Sequence, residues 1–316
     1  MRVLVAGATG VIGRALVPLL TSVGHDVTAL SRSAGRSAVL EGTGARTVLA
    51  DALDAAALDR AVREAAPDAV VHLLTAIPPR LDPRRMARQF ALTDRLRAEG
   101  TRNLIEAAQR AGARRIISQG VAFAYDPDGD GLAGEDTPLW RNPPKPFRHS
   151  LDALRELERR TGEARGLVLR FGHLYGPGTA FDTDGQFVRD IRDRRLPLVG
   201  GGSATFSFTH VHDAATAVVA ALDKNATGLL NIVDNDPAPM SEWVPEVARI
   251  LGAPAPRRLP AFLARLAVGG WGVAYLTRLR GADNARARLA LDWRPRHTSW
   301  RTGMAVELNG APAAVK

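Results

Sequence analysis

The chain has no cysteine and very little lysine, only Lys145, Lys224 and Lys316 among 42 basic residues. Without cysteine there can be no disulfide, thiolate metal site or cysteine nucleophile. Tyrosine is as scarce as lysine, with Tyr125, Tyr175 and Tyr275 the only phenols. No apolar run approaches the roughly 18 residues that a membrane span needs. The longest, Leu266 to Thr277, is interrupted by glycines. Met1-Arg2 leads straight into an apolar strand pattern, so neither a secretory leader nor a membrane partner is expected, and a cytoplasmic chain is. The net charge of +9 is spread over arginine pairs such as Arg84-Arg85, Arg159-Arg160 and Arg257-Arg258. Scattered charge of this kind describes a solvated surface rather than a nucleic-acid face.

What is present is the alternation of an α/β enzyme. With 316 residues and 46% hydrophobic content, the chain can bury one large core and carry a smaller second lobe. Short apolar runs at Arg2–Ala6, Asp26–Leu30, Arg46–Ala50, Ala69–Leu74, Arg115–Ser118 and Leu167–Phe171 alternate with helical patterns, among them Ala55–Ala65, Thr93–Ala111 and Ser150–Arg160. Strands that are apolar on both faces predict a doubly wound, Rossmann-type parallel sheet. Residues 1–172 are expected to form the dinucleotide-binding domain and residues 173–316 a smaller carboxyl-terminal substrate lobe, some of whose segments return to the sheet. Two long loops, Asp126–Pro146 and Gly176–Gly202, are rich in Gly and Pro and read as lids or binding loops.

The first strand is followed by Gly7-Ala8-Thr9-Gly10-Val11-Ile12-Gly13 and then a helical pattern. In such a turn Gly7 permits the bend, Gly10 admits a pyrophosphate to the backbone N–H groups, and Gly13 lets the helix pack closely. The helix amino terminus adds its dipole to the anion site. The second strand ends in Leu30-Ser31-Arg32, with Arg36 close behind and no carboxylate. An acidic residue there would select NAD, whereas arginine suits a 2′-phosphate, so NADP(H) is favoured over NAD(H).

Gly7 to Gly13, Asp51, Gly100-Thr101-Arg102-Asn103-Leu104, Leu169-Arg170, Tyr175-Gly176-Pro177-Gly178, Phe208-Thr209-His210-Val211-His212-Asp213 and Leu291-Asp292-Trp293-Arg294-Pro295 occur in that order. This ordered set resembles the extended short-chain dehydrogenase/reductases of the NAD-dependent epimerase/dehydratase type. The resemblance implies a homodimer built through the helices at Thr93–Ala111 and Ser150–Arg160. It also places Asp51 and Ala52 at the adenine and Leu74, Thr75 and Ala76 along the pyrophosphate and ribose. Gly120, Val121, Phe171 and His173 then lie at the nicotinamide end of the cofactor site.

The same resemblance exposes a gap. The family pairs a Ser or Thr with a Tyr, and with a Lys four residues after it that lowers the Tyr pKa and binds the nicotinamide ribose. Here the residues four places after the tyrosines are Gly129, Thr179 and Leu279. Aligned through Tyr125 and Glu158, the three positions hold Val121, Ser150 and Leu154; a register through Glu156 gives Arg148 and Asp152 instead. Substitute proton carriers must therefore come from His173, His149, Ser150 or Tyr125, and histidine titrates in the useful range. Ser150 also reads as a helix N-cap. His210, His212 and Asp213 could suggest a metal, but Asp213 is expected to cap the following helix, and no metal is expected. Arg170 and Arg189 are possible anion contacts. Phe123, Phe147, Phe181, Phe187, Phe206 and Trp271 suggest an apolar pocket for a bulky small molecule, such as a specialised metabolite, rather than a nucleotide sugar. Three functions stay open: hydride transfer by an atypical family member, non-redox catalysis of a cyclisation, isomerisation or elimination, and a catalytically silent NADP(H)-binding sensor or partner protein.

Overall fold

The computed structural model describes residues 1–309; residues 310–316, including Lys316, lie outside the described residues. Seven parallel strands form one sheet: β1 (Arg2–Ala6), β2 (Asp26–Ser31), β3 (Arg46–Leu49), β4 (Ala69–His72), β5 (Arg115–Val121), β6 (Leu167–Phe171) and a later strand, Gly228–Ile232. Their order across the sheet is β3, β2, β1, β4, β5, β6 and then Gly228–Ile232. The order in which strands are added reverses between β1 and β4, which opens a crevice at the carboxyl ends of the strands. This is the expected doubly wound sheet, with Gly228–Ile232 joining its edge beside β6.

Helices cover both faces. On one, α1 (Val11–Ser22) turns Ile12, Leu16 and Leu20 inward, at the helical spacing, against Val3, Val5 and Ala29. On the other, α3 (Ala55–Ala65), which follows the short α2 (Ala34–Ser37) in the chain and is started by an Asp54 side chain that accepts the Ala57 N–H, packs Leu58 and Val62 against Leu4 and Val70.

Two helices depart from the sequence expectation. The expected helix at Thr93–Ala111 starts earlier and is interrupted: α4 (Met86–Arg95) passes through a π-helical turn, Leu96–Gly100, into α5 (Thr101–Arg110). The helix expected from Ser150 is α6 (Lys145–Glu163), with Pro146 in its first turn, where a missing N–H costs nothing. Ser150 is therefore not an N-cap; it lies inside the helix on its buried face, while His149 faces solvent.

After β6, the strand His173–Tyr175 pairs with Phe208–His210, and Phe206, Trp243, Val247 and Trp300 anchor a separate core in the second lobe. The apolar stretch Leu266–Thr277 falls within a helix, Ala261–Arg278, that kinks at Gly269 (φ +70°). Loop 126–146 is fastened to the end of that helix and the residues just beyond it: Ala133 bridges Ala282, Arg280 donates to the Gly131 carbonyl at 2.7 Å, and Arg278 pairs with Asp128 at 3.0 Å. No helix among the described residues is long and apolar enough to cross a membrane.

Candidate active site

The glycine turn is shaped by close approach. Gly7 has φ +95°, and a Cβ there would lie 2.6 Å from the Leu73 carbonyl oxygen; at Gly13 it would lie 2.3 Å from the Gly7 carbonyl oxygen. α1 starts at Gly10 with no side-chain cap, so its first N–H groups stay free for an anion. Thr9 and Val11 are half-buried and Ile12 is buried. Beyond β2, Arg32 and Arg36 are exposed and join no ion pair among the described residues. Asp51 accepts the Leu53 N–H at 2.9 Å, while the carbonyl of buried Ala52 accepts from Asn103 Nδ2 at 2.9 Å. Leu74, Thr75 and Ala76 form a half-buried lip, held by Leu74 N–H on His72 Nδ1 and Ala76 N–H on Thr93 Oγ1. The cradle fits a dinucleotide: a glycine turn without side chains, an uncapped helix start and free guanidinium groups beyond β2.

Gly120 is a glycine for packing reasons, since a Cβ would meet Val168 Cγ1 at 2.9 Å. The Phe171 ring is sealed in the core between sheet and helices, so it does not line the crevice.

A fork of two 2.7 Å bonds from Arg170 to Glu158 fixes α6 against β6. Burial works against the Arg170 charge, but the pair outweighs it and holds the guanidinium pKa above its ordinary value. About two turns back along the same helix lies Ser150, and one turn back lies Leu154, both buried. The alternative positions Arg148 and Asp152 are exposed, and Asp152 is taken by Arg155. Ser150 and Leu154 thus share the buried face of α6, whereas Arg148 and Asp152 lie on its exposed side. Leu154 packs with Val121, Phe147 and Trp271 in an apolar wall.

Ser150 Oγ donates to Asp94 Oδ2 at 2.9 Å. Burial raises the Asp94 pKa, only partly offset by the Ser150 bond and by Arg97, and Asp94 Oδ1 is sealed without a partner. Tyr125 is not free for chemistry: its hydroxyl donates to Asn231 Oδ1 and accepts from Arg170 Nη1 at 2.9 Å. Burial pushes its pKa up. Arg170 is accordingly a structural cation, and Arg189 spends its guanidinium on the Asp184 carbonyl.

His173 is 6% exposed and stacks between Phe123 and Phe206, with ring centroids at 4.4 and 4.0 Å. Its Nδ1 lies 3.3 Å from the Ser207 carbonyl, so it carries the proton, and Nε2 accepts the Tyr275 hydroxyl at 2.7 Å. Burial lowers the His173 pKa to about 3. The imidazole is therefore neutral at physiological pH. Tyr275, half-buried beside it, was not singled out by any motif; only the fold of the distant helix Ala261–Arg278 brings it here.

Aromatic rings join these residues into a strip. Phe147 stacks on Trp271 at 4.1 Å, Trp271 lies 5.7 Å from Tyr275, and Tyr275 leads through His173 to Phe123 and Phe206. Phe181 and Phe187 stack on one another in the second-lobe core instead. Asp213 does not cap its helix: the N-cap is His210, while Asp213 accepts the Arg296 and His297 N–H groups. His297, rather than His212, completes a group with His210 and Asp213 whose ligand atoms lie within 4.8 Å of one another. Those groups are hydrogen-bonded, His297 to Asp213 at 3.0 Å and His210 to Glu307 at 3.2 Å.

Comparison with known proteins identifies the family and the fold. The NAD dependent epimerase/dehydratase family model matches residues 3–233. A 3-diazoavenalumate denitrifying reductase from a Streptomyces species is 49% identical over 310 residues, covering 97% of this chain and all of that protein. The ceramide reductase of Caulobacter vibrioides is 29% identical, over 93% of this chain and 86% of its own. Among solved structures, the Thermotoga maritima UDP-glucose 4-epimerase superposes with a TM-score of 0.78 at 19% identity, over 98% of each chain, which speaks to the fold alone. MoeE5, solved with UDP-glucuronic acid and NAD, gives 0.73 at 26% identity over 98% of each chain. The protein is an oxidoreductase or epimerase type of enzyme that uses a nicotinamide cofactor and acts on a small molecule, and it belongs to the NAD-dependent epimerase/dehydratase family of extended short-chain dehydrogenase/reductases.

Proposed function

We propose that this enzyme is an NADPH-dependent reductase that replaces a diazo group by hydrogen, with release of dinitrogen, on a bulky aromatic or conjugated substrate. The observation that carries this reading is the apolar packing of Leu154 with Val121, Phe147 and Trp271, which leaves no lysine beside Ser150 to make a proton donor of it. Reducing a carbonyl requires hydride at carbon and a proton at oxygen, and hence a donor such as the missing Tyr. A diazonium carbon differs: one hydride forms the C–H bond, the C–N bond breaks with its electron pair retained by nitrogen, and N₂ leaves. Atoms and charge balance without a proton. The 49% identity to a protein named as a denitrifying reductase of a diazo compound supports the same chemistry.

When bound, the nicotinamide supplies the hydride. The protein's own residues hold and shield. The turn Gly7 to Gly13 and the start of α1 would receive the pyrophosphate, and Arg32, with Arg36, would hold the 2′-phosphate of NADP(H). Trp271, Phe147 and the rings stacked about His173 make an apolar wall that excludes water. Neutral His173 and the committed Tyr125 serve as framework. A homodimer through α4, α5 and α6 belongs to the same reading.

The test is isotopic. With NADPH deuterated at the transferred position and a diazo-substituted aromatic carboxylate, the product should carry deuterium at the carbon vacated by nitrogen, one NADPH being consumed per N₂. Unlabelled NADPH in D₂O should leave that carbon unlabelled. Solvent deuterium at that carbon, or turnover without change in nicotinamide absorbance, would refute direct hydride transfer.

A further inference from the structure

Arg97 lies in the π turn between α4 and α5 and packs toward α6. It is only 4% exposed, its Nε is sealed without a partner, and its side chain makes no hydrogen bond or ion pair among the described residues. Burial lowers its pKa to about 10, opposed by Asp94, so the group is a cation at neutral pH. A buried cation with no partner costs several kcal/mol, a cost ordinarily met by a ligand or by a counterion. One turn earlier on the same strip of helix is Asp94, whose Oδ1 is likewise unpartnered while Oδ2 holds Ser150. Arg97 is also close enough to His72, the last residue of β4, to help burial lower the His72 pKa to about 4. Thr93, next to Asp94, accepts the Ala76 N–H, and Thr101, one turn after Arg97, meets His72 Nε2 at 2.7 Å, so the two orphaned groups stand near the carboxyl end of β4, beside the crevice where an open parallel sheet takes its ligand. A π turn at this point, which widens the helix and re-aims its side chains, is itself a common mark of a functional site.

One orphan is a donor and the other an acceptor. A carboxylate ligand would satisfy Arg97 but set its charge against Asp94. A hydroxyl satisfies both, because it accepts from the guanidinium and donates to the carboxylate. We propose that Arg97, with Asp94, seats the hydroxyls of the nicotinamide-side ribose, so that an arginine from the π turn supplies the cation that Leu154 cannot. This role rests on dinucleotide binding at the glycine turn. Arg97 is a positioning residue: it fixes the ribose and hence the face from which hydride departs. A modest rearrangement of the long side chain on binding brings its sealed donor to the ligand.

The experiment compares two ligands on the full chain by calorimetry: NADPH, and adenosine 2′,5′-bisphosphate, which lacks the nicotinamide half. For the unaltered protein both should bind. Arg97→Leu should weaken NADPH by about tenfold or more, the worth of a charge-assisted hydrogen bond, and leave the bisphosphate unchanged. Arg97→Lys, which keeps the charge and is the safer variant for folding, should show a smaller loss, again on NADPH alone. Equal losses on both ligands would make Arg97 a structural residue and overturn the proposal. Unchanged NADPH affinity with a raised substrate KM would overturn it in favour of a substrate contact. Failure of the unaltered protein to bind either nucleotide would instead refute the dinucleotide reading itself, a result seen before any variant is made.

Discussion

At position 173 an imidazole stacked between two phenylalanines accepts a tyrosine hydroxyl and stays neutral, and its neighbours decide that, not its residue type. His72 is a second case: its Nε2 meets Thr101 Oγ1 at 2.7 Å, and burial, then Arg97, lower its pKa to about 4. Both pKa values lie below the ordinary 6.5. In the unfolded chain each histidine takes up a proton near 6.5, whereas the folded chain refuses it until about 4 for His72 and about 3 for His173. The stability due to neutral burial is thus complete above 6.5 and is lost as pH falls through that window. Each pH unit costs about 1.4 kcal/mol per histidine. The melting temperature should fall steeply between pH 6.5 and 4.5, and His173→Phe, though less stable at pH 7, should show a shallower fall. A melting temperature independent of pH in that range would contradict the burial of both rings in neutral form. The sequence marks His173 by its place after the sixth strand, but not its burial, since Tyr275 and Phe206 reach it from segments remote in the chain.

Among the elements, α6 shows best what sequence can and cannot convey. Its apolar face of Leu151, Leu154 and Leu157 follows helical spacing and is legible, as are the cores of β1, β2, β4 and β6, whose apolar runs have no other reading, whereas Ser150 reads as a cap and Phe147 as pocket lining. Its start is not legible from the loop side, because Pro146 reads as loop until it is seen to occupy a first turn. The early start of α4 and the π turn after it leave no compositional trace, and that turn carries Arg97. Leu154 supplies the sharpest test at this scale. It is 1% exposed among Val121, Phe147 and Trp271. Leu154→Lys should bury an unpaired ammonium and destabilise the fold by about 3 kcal/mol or more, measured by urea unfolding. A variant of unchanged stability would mean that a polar, water-filled site stands there in place of the apolar wall.

Across the whole molecule, the sheet contributes the dinucleotide cradle and the second lobe contributes Tyr275, Trp271 and Phe206, so the aromatic strip exists only when both are folded together. The strip contains one phenol: Tyr275 gives its proton to neutral His173, and burial raises its pKa above the ordinary value. If dinitrogen loss needs hydride alone, that phenol is there for packing and for holding His173. Tyr275→Phe should then retain kcat within about threefold, whereas removal of a true general acid costs about a hundredfold or more. The kcat of the unaltered enzyme should also be flat from about pH 6.5 to 8.5, because no group of the strip changes charge in that range and the acid limit is set by unfolding through the buried histidines. Steady-state rates of both proteins across that range, with folding followed in parallel by circular dichroism, separate the two cases. A basic limb that disappears in Tyr275→Phe, together with a hundredfold loss of kcat, would assign the phenol to proton transfer and return the reaction to carbonyl-type reduction.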